Sequence, residues 1–318
     1  MNKTIGFAAL FLTLIFWGHT KSALQESVES APERITLGSV VSVTNPDASV
    51  APFTMPQISD AVVGQPATQP VSGPPRETSI DSAVAAFAGT VVNLENQSVL
   101  WERRPLQRHP LASLTKLMTG VVALENIGME KTITITDEDV RAEGDAAGLK
   151  AGETFSVRDL VAAMILSSSN DAADALARFY GTSLFVNAMQ QKANDIGMTN
   201  TSFFDPSGLS SLNQSTAENV ASLVRYIREY YPEIFTLSRS KEQTILEQTA
   251  KTPRVIKSIN EFAGDPQFLG GKTGYTPEAH GNLVSLFSAG EKTLLIIVLG
   301  TDDRFGETRA LGKWAKEQ

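Results

Sequence analysis

The hydrophobic pattern of the chain changes character three times. From Thr4 to Trp17 every position except the two threonines is apolar or glycine. That run is shorter than the roughly 17–25 residues a membrane-crossing helix needs. It follows a single positive charge at Lys3 and leads into small residues around Thr20-Lys21-Ser22. This is the layout of an export signal, so residues 1–23 are read as a cleaved signal peptide or a retained N-terminal membrane anchor. From 24 to 82 no period survives, and prolines recur from Pro32 to Pro75. That composition predicts a low-complexity, disordered linker.

Periodicity returns near Asp81. Ala83–Asn93 and Ser98–Trp101 are apolar runs on either side of a polar turn, which predicts a β-hairpin. After Pro105 and Pro110, Ser113–Asn126 has helical spacing and stops at Gly128. Lys131–Thr136 alternates as a short strand, and Gly152–Phe155 reads as a turn. Ser156 to Asp159 has the form of a capping box opening a helix from Val157 to Leu166. Ser167-Ser168-Ser169-Asn170 breaks that helix. Helical spacing resumes over Asp171–Tyr180 and Leu184–Gly197. A second capping box, Ser215 to Glu218, opens a helix to Tyr230, with Pro232 beyond. Residues from about 137 to 235 therefore form a mostly helical block. Strands return faintly at 243–250 and 253–258, then at 268–276, and as a hairpin of His280–Ser288 with Thr293–Thr301; Arg304–Gln318 closes as a helix. Strands at both ends of a helical block predict an α+β fold: an antiparallel sheet flanked by terminal helices, with a mostly helical subdomain inserted, over 83–318.

Composition narrows the chemistry. At 42% apolar and 19% charged residues, the chain can bury a core. A net charge of -8 without a basic stripe argues against a nucleic-acid partner. With no cysteine there is no disulfide, zinc-thiolate site or thiol nucleophile. His19, His109 and His280 are too scattered for a metal site, and none lies in a nucleophile-elbow context.

Three short motifs carry candidate chemistry: Ser113-Leu-Thr-Lys116, Ser168-Ser-Asn170 and Lys272-Thr-Gly274. Ser113 and Lys116 stand three apart on a predicted helix and share a face. A serine hydroxyl needs a base, and a neutral lysine is the candidate once its pKa is depressed from about 10.4. Lys272 is a possible depressing cation. Spacing alone decides little, because Ser238 and Lys241, Ser211 and Asn213, and Ser258 and Asn260 repeat the same intervals. Context decides more. Ser113 opens a helix after a proline loop, Ser168 sits in a break between helices, and Gly270, Gly271 and Gly274 would let a ligand approach the strand carrying Lys272. Asp171 and Asp205 read as structural, His280 as a strand residue, and Arg309 as part of a solvated helix face.

The similarity extends to longer segments: Pro110–Thr119, Ala147–Glu153, Ser169–Ala173, Phe204–Leu209 and Gly271–Thr276. On these the chain, over about 84–318, resembles the low-molecular-mass penicillin-binding proteins of the D-alanyl-D-alanine carboxypeptidase family. The resemblance implies a β-lactamase-like fold with Ser113 as nucleophile, Lys116 as its base and Ser168 as proton relay. It implies that Asn170 binds the substrate amide, that Lys272 and Thr273 hold the terminal carboxylate beside Gly274, and that the N–H groups of Ser113 and Tyr275 form the oxyanion hole. It implies no metal or cofactor. The partners expected are peptidoglycan stem peptides ending in D-Ala-D-Ala and β-lactams as covalent inhibitors, with extracytoplasmic action. Many members add a β-rich domain and an amphipathic helix after the catalytic domain; here membrane contact is expected only through the N-terminal segment. The same scaffold leaves open an endopeptidase, a transpeptidase, a β-lactamase (though no glutamate-bearing loop is visible) and a non-catalytic peptidoglycan binder.

Overall fold

The computed structural model describes residues 79–318 apart from 142, 143 and 145. The export signal at 1–23 and the linker to residue 78 lie outside the described residues. Among the described residues, core packing is present ahead of residue 83. Ile80 is buried in the core, and Asp81 accepts a hydrogen bond from Trp101 Nε1 at 2.9 Å.

Five strands form the central antiparallel sheet: β1 (Ala88–Asn93), β2 (Ser98–Arg103), β9 (Phe268–Thr276), β10 (His280–Ala289) and β11 (Lys292–Thr301), in the order β2-β1-β11-β10-β9. β1 is paired with β11 from Ala88 opposite Leu299 to Asn93 opposite Leu294. The two ends of the domain thus meet in the middle of the sheet. β11 shows why. Leu294, Ile296 and Val298 point to one face, where they meet Leu311 and Ala315. Leu295, Ile297 and Leu299 point to the other, into the core shared with the helices. Because side chains alternate with period two, a continuous apolar run signals a strand covered on both faces. One cover is the final helix α7 (Arg304–Lys316); on the N-terminal side the described residues hold only a 3-10 turn, Asp81–Ala83.

The other face carries the helices: α1 (Thr115–Asn126), α2 (Val157–Leu166), α3 (Asn170–Tyr180), α4 (Thr182–Asp195), α5 (Ala217–Tyr230) and α6 (Glu233–Ser238). α1 is central. It contacts α2, α3, α4 and α5, and its residues from Thr115 to Ala123 are all buried. Three two-stranded pieces complete the fold: β3 (His109–Pro110) with β6 (Gln214–Ser215), β4 (Thr132–Thr134) with β5 (Thr154–Ser156), and β7 (Glu242–Leu246) with β8 (Pro253–Lys257).

Several local expectations need correction. The supposed turn at Gly152–Phe155 becomes strand β5 from Thr154, because β4 offers it a partner. The second helix cap is Thr216, which accepts from Asn219 N, while Ser215 is drawn into β6 opposite His109. The helix does end at Tyr230, and Pro232 beyond it caps the start of α6, where a missing N–H costs nothing. Two of the β9 glycines are required by packing inside the protein. A Cβ on Gly270 would lie 2.6 Å from the Phe235 carbonyl oxygen, and one on Gly271 would lie 2.2 Å from that of Val284.

Gly270 also has φ +133°, open to glycine alone. Gly270→Ala is expected to destabilise the domain by about 2–4 kcal/mol through strain and overpacking, read from the urea unfolding midpoint. A loss below about 1 kcal/mol would show that α6 yields at this contact.

Candidate active site

The site is assembled where the helical block meets the free edge of β9. Its first part is the 3-10 turn Ala112–Leu114 that leads into α1. Ala112 has φ +47°, a conformation a non-glycine residue holds only when its surroundings impose it. They do. Asn282 Nδ2 donates to the carbonyls of Pro110 and Leu111 at 2.9 and 3.0 Å. Gly208 lies so close that an added Cβ would sit 1.9 Å from the Ala112 oxygen. From the opposite side comes Gly274, where a Cβ would meet Leu111 O at 3.0 Å and Ser113 N at 3.2 Å. The turn holding the half-buried Ser113 is thus clamped between two glycines, and Tyr275, next after Gly274, is exposed.

One turn further on, Lys116 is fully buried, and its Nζ has three partners: Ser113 Oγ at 2.9 Å, Asn170 Oδ1 at 2.6 Å and the Ser207 carbonyl at 2.5 Å. Two of these can only accept. A neutral amine has two protons and one lone pair. Its protons are taken by Asn170 and Ser207, so the lone pair is left for the Ser113 hydroxyl. Burial lowers the Lys116 pKa to about 7, although Asp205 and Asp174 act in the opposite sense.

Ser168 has φ +64° in the break between α2 and α3. The three serines there divide the work. Ser167 Oγ donates back to Ala163 O, Ser169 caps α3 by accepting from Ala172 N, and Ser168 Oγ accepts from Lys272 Nζ at 2.9 Å. Lys272 also donates to Thr273 O at 2.9 Å; both residues are buried on β9. Burial holds the Lys272 pKa well below its ordinary value, with the positive charges of Lys116 and Arg304 adding to the effect. This revises the expected cause of Lys116's depression: burial drives it, and Lys272 is itself depressed.

All three motifs therefore converge. The repeats of their spacing do not. Ser238 is buried in α6 and accepts from Gly271 N, Asn213 braces a loop, and Ser258 accepts from Asn260 N. His280 begins β10 facing Asp302, and Arg309 pairs on the surface with Glu261 at 2.6 Å, as their sequence readings held. Three participants escaped sequence reasoning. The Ser207 carbonyl has no side-chain signature. Asp174 lies one turn beyond Asn170 on α3, a legible spacing; burial first, then Asp205, raises its pKa to about 7 even though Lys116 opposes this. Arg304, half-buried, directs Nη1 to Gly274 O at 3.3 Å. Among the described residues no cluster of three or more acidic or histidine side chains is placed to hold a metal, and no helix is long and apolar enough to cross a membrane.

Fold and motif set together are those of a serine-type hydrolase, with a buried lysine hydrogen-bonded to the candidate serine. Residues 75–303 match the D-alanyl-D-alanine carboxypeptidase family of peptidases, and the chain belongs to it. It is 30% identical over 259 residues to a D-alanyl-D-alanine endopeptidase of Pseudomonas aeruginosa, covering 78% of this chain and 83% of that protein. It is 29% identical over 243 residues to the D-alanyl-D-alanine carboxypeptidase DacB2 of Mycobacterium tuberculosis, covering 76% and 80%. A D-alanyl-D-alanine carboxypeptidase crystal structure from Mycobacterium tuberculosis superposes with a TM-score of 0.68 at 27% identity, covering 73% of this chain and 91% of that one. A Streptomyces DD-transpeptidase gives 0.66 at 26%, covering 72% and 95%.

If the Lys116 amine takes the Ser113 proton, only its neutral form is competent. Acylation by penicillin should then fall as pH drops through about 7, where Lys116 becomes protonated, and level off above it. Stopped-flow acylation between pH 5 and 9 checks this; a flat profile would contradict a lysine base.

Proposed function

We propose that this chain is a serine-type D-alanyl-D-alanine carboxypeptidase that removes the terminal D-alanine of peptidoglycan stem peptides through an acyl-enzyme on Ser113. The observation that carries the reading is the three-way coordination of Lys116 Nζ, which leaves its lone pair a single partner, the Ser113 hydroxyl.

The steps follow from the geometry. Ser113 Oγ attacks the carbonyl between the two D-alanines while Lys116 takes its proton. The developing oxyanion is taken by the N–H groups of Ser113 and Tyr275; the close packing of Gly274 on the Ser113 turn supports this reading. Ser168, held by Lys272, relays to the leaving amine the proton that Lys116 took from Ser113, which returns Lys116 to its neutral form. The departing alanine's carboxylate lies against Lys272 and Thr273, with the charge of Arg304 behind Gly274. Asn170 holds Lys116 through its side-chain oxygen and stands beside the reacting pair, where it binds the substrate amide. Water then hydrolyses the ester. Penicillin enters by the same acylation. Such a substrate places the enzyme outside the cytoplasm, in keeping with residues 1–23 as signal or anchor and the following segment as a tether.

The relatives named endopeptidases favour a second reading on the same machinery. There the leaving amine belongs to a cross-linked strand, so the product is a released peptide instead of free D-alanine.

Intact mass of the protein incubated with penicillin is expected to show one long-lived adduct at Ser113, absent in Ser113→Ala. The wild type should release D-alanine from a pentapeptide, and the variant should fall by at least about a thousandfold. D-alanine release surviving in a folded Ser113→Ala would exclude this nucleophile. Cleavage of cross-linked dimers alone would establish the endopeptidase.

A further inference from the structure

The loop from Phe204 to Asn213 supplies the Ser207 carbonyl to Lys116, yet apolar packing does not hold it in place. Its large apolar side chains, Phe204, Leu209 and Leu212, are 57, 45 and 54% exposed. What closes the loop is a carboxylate. Asp205 Oδ1 accepts from Ser207 N at 2.7 Å, Ser207 Oγ at 2.8 Å and Gly208 N at 2.6 Å. Its Oδ2 accepts from Ser210 N at 2.8 Å and Asn213 Nδ2 at 3.1 Å. Asn213 Oδ1 in turn accepts from Phe204 N at 2.6 Å, so the two ends of the loop are joined. Bonds to an ionised carboxylate are shorter and stronger than neutral ones, and five of them converge on this group.

The closed loop is docked on α1 at successive points. Asn213 Nδ2 donates to Thr115 Oγ1 at 3.3 Å, and Thr119 Oγ1 donates to Pro206 O at 2.5 Å. Between these lies the contact of Ser207 O with Lys116 Nζ. Of the three partners of Lys116, this is the one delivered by a loop.

We propose that Asp205 is a positioning residue for the general base: its carboxylate templates the 204–213 loop so that the Ser207 carbonyl takes one proton of Lys116 and leaves the lone pair facing Ser113. The proposal rests on Lys116 being the base. Asp205 touches neither Ser113 nor the substrate and acts through Ser207. It also contributes charge. The groups facing Lys116 are Asp174 and Asn170 from α3, Lys272 from β9, and Asp205 and the Ser207 carbonyl from the loop. Asp139 and Asp171 lie behind Asp174. Among these, Asp205 and Asp174 favour the protonated amine.

This dual role gives a signed test. Asp205→Asn keeps the size but loses an acceptor, turning an NH₂ toward N–H donors, and it removes an anion near Lys116. Asp205→Glu keeps the charge and misplaces it. Asn213→Ala loosens the loop without changing charge. The rate of Ser113 acylation by penicillin is measured from pH 5 to 9 on the full chain, with thermal melting as a control for folding. Asp205→Asn should lower the alkaline plateau on the order of tenfold and move the acid limb to lower pH. Asp205→Glu and Asn213→Ala should lower the plateau with the limb unmoved; these two carry the test if Asp205→Asn does not fold. General damage to the fold lowers a plateau but does not displace the limb in the direction set by the lost charge. A wild-type plateau in the variants, or a limb moved to higher pH in Asp205→Asn, overturns the proposal alone. A wild type that acylates without an acid limb removes Lys116 as base, and this proposal with it.

Discussion

The structure turns on one amine held out of water. A lysine buried as fully as Lys116 can keep its proton only against the cost of desolvating a charge, so burial brings the neutral form within reach near neutral pH. The same burial requires that the remaining N–H bonds be satisfied, because an unpaired polar group in the interior costs about 1–3 kcal/mol. Asn170 and Ser207 meet that need. Each comes from a different element, and together they fix the direction in which the lone pair points. The general-base role proposed for Lys116 would thus be a consequence of packing as much as of chemistry.

That constraint explains the architecture around it. α1 must be central, since a lysine on its first turn is buried only if helices cover it on several sides. The Ser113 turn packs against Gly274 of the edge strand β9 and is held by Asn282 of its neighbour β10. The second cation, Lys272, sits on that strand and reaches Ser168 across the seam, so the site belongs to neither layer alone. Two glycines, Gly208 and Gly274, press backbone against backbone on the turn that carries Ser113 and sustain a conformation that Ala112 would not adopt unaided.

Much of this was legible in the sequence where the signal was periodic or chemical. The helix after Pro110, the capped start of α2 at Ser156 and the closing hairpin of β10 and β11 stand where their patterns put them. Ser113 and Lys116 shared a helix face by spacing, and Ser168 stood out as the middle residue of a break. What the sequence withheld was tertiary. Strand β5 exists because β4 is beside it, and Ser215 is taken by β3 so that Thr216 becomes the cap. The glycines of β9 advertised close approach without saying to what. The Ser207 carbonyl could not be read at all, since a backbone oxygen looks the same at every residue. Asp205 was rightly read as structural, but what it structures became visible only once its loop was seen against α1.

The most direct test of the account is the ionisation of Lys116 itself, followed in the uninhibited protein by NMR of the lysine side-chain ¹³Cε and ¹⁵Nζ, with assignment through Lys116→Arg. A titration centred near pH 7 would show that a substantial fraction of the amine is neutral near neutral pH, as its burial predicts. A resonance that stays in the ammonium range beyond pH 9 would contradict the claim and leave Ser113 in need of another base.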